Sequence, residues 1–532
     1  MKHSFTRFLM LLLVLSLLPI SVLGEITLSG PNEYPIADEP ITLKAFCIPK
    51  SQIEDMETNR LTLWLEEKTG IHFEWEVPPA SESTTSLNLK LTDTDQPDFY
   101  YGMTLGAARI WEVAQDGMIM PLNDLIENYM PNLKKILDEN PSIKTAITAP
   151  DGNIYSLPRT DGGIHTLVPQ KVFIYTPWLE KLNMEMPSTP VEFEAYLQAV
   201  KDNDLNENGD TTDEIPLIIN SGNIRHVLGF LLAPFEPQPN KRLNVTDGVL
   251  TPSFTSDRYR EGLIWIKGLV DKGLFSKDSF TIDGSTIKSL TSRPDAMIVG
   301  SSGGWFESSF GDMAALPTLW EDYEAVPPLA NEEGIRRTIN HNGDIALNSF
   351  ITSTCAYPEA LAKWCDFWYS PEGIMTNYIG IEGIHWNWVD EPSIGGSDTS
   401  ARSITYSDGM TNETWYGTGF RHQDADTRYC VTYTPENLEY HYYTESLKYL
   451  DYLPTEYVPS IVWFTDEQSE IVNTIESALL NYVNEMRAAF ITGTIDINDD
   501  AQWTAYLDEL EVIGLQDWVD TYQAAYTAMM SK

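Results

Sequence analysis

The amino-acid sequence predicts an α/β protein made of two lobes. At 532 residues the chain is too long for one hydrophobic core, since single cores rarely grow past ~250–300 residues. Apolar residues supply 42% of it and aromatics 11%, enough to fill more than one core. Short alternating strands are separated by helical stretches, and a second such series starts near residue 172. That alternation predicts βαβ units with a parallel sheet in each lobe.

Taken in order, Lys2 and Arg7 precede a 13-residue apolar run, Phe8–Ile20, too short to span a bilayer of ~30 Å. Residues 1–24 therefore read as a signal peptide cleaved before Glu25, the alternative being an uncleaved anchor. Residues 41–47 alternate apolar and polar as a strand does. Residues 59–69 place Leu61, Trp64 and Leu65 on one helical face, with Gly70 as the stop. Residues 72–77 and 97–101 are the next strands. The second series begins with strand 172–175 and includes a helix over 256–272 stopped by Gly273. Ala296 to Val299 reads as a later strand running into a Gly-rich turn, 300–304. From about Ser469 onward the chain is mostly helical.

Charge narrows the function. The 34 Lys and Arg face 78 Asp and Glu, a net −44. Nucleic acid and anionic membranes need a positive face, so neither is an expected partner. With only four cysteines and no CxxC pair, the chain has neither a disulfide framework nor a thiolate zinc site. Cys355 and Cys365, around a helix over 358–369, read as buried thiols rather than a bridge.

Residues 202–216 read DNDLNENGDTTDEIP. Asp204, Asn206 and Asn208 alternate, then Gly209 turns the chain toward Asp210, Asp213 and Glu214. A hard cation takes six to eight oxygen ligands, and alternate Asp/Asn side chains in a tight loop point theirs at one place. These six residues are the expected ligands of a structural calcium ion; the alternative is a solvated acidic turn. Helix 191–202 leads into the loop as in half of an EF-hand. Aromatics are the other signal. The chain has fifteen Trp and 26 Tyr, many near turns. Sugars offer apolar C–H faces rimmed by hydroxyls, so rings beside polar side chains suit them; each ring singly is as well explained by core packing.

Several segments carry a family likeness. They are Asn183-Met-Glu-Met-Pro-Ser-Thr-Pro190 with the helix and acidic loop ending at Pro216, Pro121–Ile126, and Asp151-Gly-Asn-Ile-Tyr-Ser-Leu-Pro158. Tyr259–Phe275, Tyr369–Gly373 and the C-terminal Trp503, Tyr506, Leu510 and Gly514 belong with them. Over about residues 41–530 the chain resembles the bacterial extracellular solute-binding proteins of ABC transporters, family 1, in their large oligosaccharide-binding lipoprotein-like branch. The resemblance implies a two-lobe, type II periplasmic-binding-protein-like fold, a hinge crossed about three times, and a cleft that closes on a carbohydrate. It implies no enzymatic activity, delivery of the ligand to a membrane permease, and a monomer. The implied lobes are 25–165 plus about 325–390, and 166–324 plus about 450–532, with 391–449 facing the cleft or the hinge. Two departures stand out. Residues 21–25, Ser-Val-Leu-Gly-Glu, lack the lipobox cysteine, which argues for an exported chain without a lipid anchor. Thr211-Thr212 lengthen the acidic loop by one residue, so Asp210 is expected to offer its carbonyl alone.

Loops between strands and helices are where lobed α/β sheets hold ligands. On that ground the expected stacking residues are Tyr100, Trp178, Trp305, Trp386 and Trp415. Asp98, Arg159, His341, Asn342 and Asp344 are the expected polar contacts. Two rivals share the acidity and the aromatics. A secreted glycoside hydrolase would need a pair of carboxylates about the scissile bond. A receptor for peptides or acidic sugars would draw on Arg159, Arg225, Arg336 and Arg337.

Overall fold

The computed structural model describes residues 26–531 apart from 51–52, 294–296, 314, 317, 342–344, 405–411, 416–417 and 435. Its buried apolar side chains form two large cores. One gathers residues from Ile36 to Leu157, then Leu347 to Tyr369, Trp415 and Phe420. The other gathers Val168 to Leu329 and most of the chain from Tyr449 to Met529. The backbone passes between them after Leu157, after Leu329 and after Phe420.

The first core lies on a six-stranded sheet. Its order is Arg421–Gln423, Leu157–Asp161, Ile345–Ile351, Phe99–Tyr101, Ile41–Cys47, Ile71–Glu76. Strand Ile41–Cys47 forms where the sequence predicts it, burying Ile41, Leu43 and Ala45 on one side. Helix Arg60–Thr69 starts where the Asn59 side chain accepts from Leu61 N at 3.0 Å and stops at Gly70, whose φ of 72° favours glycine.

The sheet is mixed, not parallel. Strand Ile345–Ile351 runs antiparallel to both neighbours, while Ile41–Cys47 is parallel to Ile71–Glu76 and Phe99–Tyr101, and Leu157–Asp161 to Arg421–Gln423. The crossings explain this. Leu157–Asp161 leaves toward the second core, so the returning chain enters at that same end and must run the opposite way. The C-terminal ends of the parallel strands therefore face the seam between the two cores.

The second core is built around strand Lys171–Tyr175, antiparallel to Ser301–Gly304 and Tyr323–Ala325. The expected strand over residues 296–299 is displaced: Ala296 lies outside the described residues, Val299 makes one parallel bridge to Ile215, and the strand is the Gly-rich segment Ser301–Gly304 itself. Close packing demands the small residues. A Cβ on Gly303 would sit 2.5 Å from Lys171 O and 2.6 Å from Val227 Cγ2. The lobe ends in helices Asp466–Thr492, Asp500–Ile513 and Leu515–Met530. All four cysteines are free thiols, with Cys365 buried and Cys355 half-buried.

Candidate functional site

Strand Ser301–Gly304 delivers Trp305 to the seam. The half-buried indole donates from Nε1 to His226 Nε2 at 2.9 Å. His341 meets the same ring edge-on, with centroids 4.7 Å apart at 78°. Burial pulls both imidazoles down to about 4, with the Arg225 charge helping, so both are neutral at pH 7. Neutrality is what the bonds require: His226 Nε2 accepts from Trp305, and His341 Nδ1 accepts from Asn240 Nδ2 at 2.7 Å.

The backbone under the indole is tied to the first crossing. Lys171 Nζ, buried beneath it, donates to Trp305 O (3.1 Å), His165 O (3.3 Å) and Val168 O (2.5 Å). Burial pulls this ammonium down to about 7. Beyond Trp305, Phe306 stacks on Tyr442 at 4.8 Å and 29°, and buried Glu307 bonds His441 Nε2 at 2.6 Å. A continuous aromatic surface thus borders the seam. A cavity of about 380 Å³ is walled from both sides, by Leu347 of the first core and Leu105 packed against it, and by Val472 and Tyr522 of the second.

Of the ten expected ligand contacts, Trp305 and His341 come together here. Arg159 is half-buried on strand Leu157–Asp161, in register with Arg421, and its guanidinium has no hydrogen-bond or ion-pair partner among the described residues. Asn342 and Asp344 fall outside the described residues. Five others are corrected. Tyr100 is fully buried and stacks on Phe350 at 4.8 Å. Trp178 packs edge-on to Tyr175 inside the second core. Trp415 lies in the first core, bonded to Thr62 Oγ1 at 2.9 Å. Trp386 fills a small third core with Met375 and Ala401. None of these rings offers a free face. Asp98 sits at the start of its strand, away from the seam, and both carboxylate oxygens accept backbone amides, from Lys44 and Ala356, at 2.8 Å each.

The acidic loop folds inward on itself. Asp204 accepts from Asn208 N (3.1 Å) and Gly209 N (2.9 Å), while Asn208 Nδ2 donates to Asp213 Oδ2 at 2.7 Å. Asn206 Nδ2 lies 3.4 Å from both Asp213 oxygens. Glu214 Oε1 accepts from Leu205 N at 2.7 Å, and its Oε2 is buried with no partner. The loop carries the oxygen donors a hard cation takes, one of them an orphaned buried carboxylate oxygen, but Asp204, Asp213 and Glu214 are not gathered at one point here. The Asp210 side chain does not take part: its Oδ1 accepts from Thr212 N and Oγ1, at 3.0 and 2.6 Å. Among the described residues, no three His, Cys, Asp or Glu side chains lie together as a metal-binding group, and the Asn206 and Asn208 carbonyls accept from Asn208 N and Asp210 N at 3.0 and 2.7 Å.

No protein-family model matches the sequence. The fructooligosaccharide ABC transporter substrate-binding protein FusA of Streptococcus pneumoniae is 30% identical over 548 aligned positions, covering 97% of this chain and 96% of FusA. The chain belongs to the substrate-binding proteins of ABC transporters. Among solved members, FusA in complex with kestose superposes with a TM-score of 0.74 at 28% identity, over 92% of this chain and 99% of that one. A FusA EF-hand mutant in complex with fructo-nystose superposes equally well. A solute-binding protein from Bifidobacterium longum infantis that binds HMO shares the two-lobe fold, at a TM-score of 0.77 and 19% identity over 93% of this chain and all of that one.

As a substrate-binding protein the chain carries seam residues that sequence reasoning missed. His226, Asn240, Phe306 and Tyr442 are the main ones. One signal for His226 was available: Arg225 and His226 open a helix, Ile224–Leu232, whose remaining residues are Val, Leu, Gly and Phe. A polar pair heading so apolar a helix marks the end that leaves the core. Asn240 and Tyr442 carried no such mark.

Proposed function

We propose that this protein is the extracellular capture component of a carbohydrate importer, taking an oligosaccharide into the seam between its lobes and passing it to a membrane permease without covalent chemistry. The observation that carries the reading is the Trp305 corner: an indole at the seam, held by a neutral histidine on its N–H and another at its edge. An oriented ring beside amide and imidazole groups suits a sugar's apolar face and hydroxyl rim. FusA, similar along the whole chain, carries fructooligosaccharides. The lobes follow the two cores, and ligand contacts on both stabilise the closed form. Residues 1–24 direct export. No helix among the described residues is long and apolar enough to cross a membrane. The acidic loop holds a structural calcium ion through Asp204, Asn206, Asn208, Asp213 and Glu214, remote from any reacting group.

Thermal unfolding against a panel of neutral and acidic oligosaccharides, with calcium held constant, tests the reading. A ligand at about 100 times its Kd adds ~2.7 kcal/mol of stability, so a cognate sugar class raises the midpoint clearly. No shift with any oligosaccharide, or release of reducing ends from one, overturns it.

A further inference from the structure

A group of guanidinium ions lies behind the Trp305 corner without counter-ions. Arg242 and Arg487 are buried, and each donates an Nη2 to one carboxamide oxygen, Asn484 Oδ1, at 3.1 and 3.0 Å. Arg242 Nη1 has Gln238 Oε1 at 3.0 Å. Arg225, half-buried, gives Nη2 to Asn240 O and Oδ1 at 3.1 and 3.0 Å. Every acceptor is neutral, and none of the ion pairs among the described residues includes these three arginines. Buried charge is costly unless something of opposite sign answers it. In a chain of net −44, three unanswered cations in one place are the exception.

The front of this group is open. A cavity of about 290 Å³ is lined by Arg225, Asn240, Lys241, His341, Tyr457 and Ser460, with no Asp or Glu on its wall among the described residues. It is sized for a single sugar ring. Lys241 has no hydrogen-bond or ion-pair partner among the described residues, and Arg225 keeps Nε and Nη1 free of partners there. His341 joins this cavity to the stacking corner, one face of its surroundings being Trp305 and the other Asn240. A wider groove of about 830 Å³ shares Pro239, Asn340 and Tyr457 with it, but that groove mixes Arg336 and Arg337 with Glu236, Glu333, Asp451 and Glu456. Of the two, the smaller cavity alone is lined by cations without carboxylates among the described residues.

We infer that this cavity is a carboxylate subsite, in which Arg225 and Lys241 hold the acid group of a uronic acid unit belonging to the oligosaccharide stacked at Trp305. The inference rests on the carbohydrate reading above and narrows its ligand to acidic glycans. With Nη2 spent on Asn240, a carboxylate takes one charge-assisted bond from the Arg225 Nε or Nη1, and Lys241 adds a point charge. Arg242 and Arg487 stand behind and contribute field, not contact.

The test is calorimetric titration of the full mature chain with tri-galacturonate and with its neutral counterpart, a galactotriose, followed by the same pair on Arg225→Gln and Lys241→Gln. Expected is tighter binding of the uronate, a preference that shrinks roughly ten- to hundredfold in each variant and falls with added salt. Lys241 is half-exposed, so its variant remains informative if Arg225→Gln unfolds. A neutral sugar preferred by the wild type, with both variants weakening both ligands alike, overturns the subsite and leaves carbohydrate capture standing. Stabilisation by inorganic phosphate without any preference for uronate also overturns it, assigning the cavity to a free anion. Failure of every oligosaccharide to bind overturns the carbohydrate reading and the subsite together.

Discussion

Trp305 illustrates how much of the proposed ligand site is decided one side chain at a time. Its ring is positioned from three directions: His226 on the N–H, His341 at the edge, and Lys171 on its carbonyl. Replacing Trp305 with Ala should weaken oligosaccharide binding by ~1–3 kcal/mol while leaving the fold intact. Titration calorimetry on the folded variant reads this directly, and unchanged affinity removes the ring from the site. His441 supplies a pH dependence. Burial lowers its pKa, but the hydrogen bond and charge of Glu307 outweigh burial and raise it above 6.5. The folded chain therefore holds this proton more tightly than the unfolded chain does. The stabilisation is complete below the unfolded value and is lost as pH rises through the raised folded value. Wild type should lose more of its melting temperature over that window than His441→Gln does; equal losses would mean that the pair contributes no proton-linked stability. Sequence reading marked Trp305 and His341 but also Tyr100, Trp178 and Trp415. Position in a loop between strand and helix was the ground for all five; which way a ring turns, to seam or to core, depends on packing partners remote in sequence, such as Phe350 for Tyr100 and Thr62 for Trp415.

Elements were more legible than side chains because their causes are local. Alternation placed strand Ile41–Cys47, and capping placed helix Arg60–Thr69. The strand Ser301–Gly304 was misread as a turn because four Ser and Gly residues carry no strand signal of their own. Their fitness appears only against the Lys171 carbonyl and Val227. Strand direction was misread for a similar reason, since a chain that leaves the sheet and comes back reverses its sense. The acidic loop is local again, and the Asp210 side chain, expected to leave only its carbonyl for a cation, caps Thr212. If the loop binds calcium, chelation lowers the melting temperature in wild type, the loss amounting to ~2.7 kcal/mol where the ion had been at about 100 times its Kd. Glu214→Gln, which alters the orphaned buried oxygen, should blunt that response. A chelator with no effect on either protein would count against the ion.

At the scale of the whole molecule, two cores were foreseeable from length and from the restarted series of elements, whereas repeated crossing between them was implied by the family resemblance alone. The exact meeting of the lobes was not, because it rests on single long-range bonds such as Trp111 Nε1 to Asp466 Oδ1 at 3.0 Å and His341 N to Leu167 O at 2.8 Å. Capture by closure predicts that a cognate oligosaccharide lowers the radius of gyration in small-angle scattering. An unchanged profile at saturating ligand would mean binding without closure.

A stretch beyond the third crossing has one further property. Along residues 458–463 the chain serves both sides at once: Val458 and Val462 are buried in the second core, Ile461 and Trp463 in the first. Ile461, Val462 and Trp463 turn to alternate cores, so this stretch works as a zip between two halves. Neither half can melt without stripping apolar residues from the other. Heat should therefore find one cooperative unit where the architecture suggests two, and a single proteolytic cut in these few residues would uncouple them.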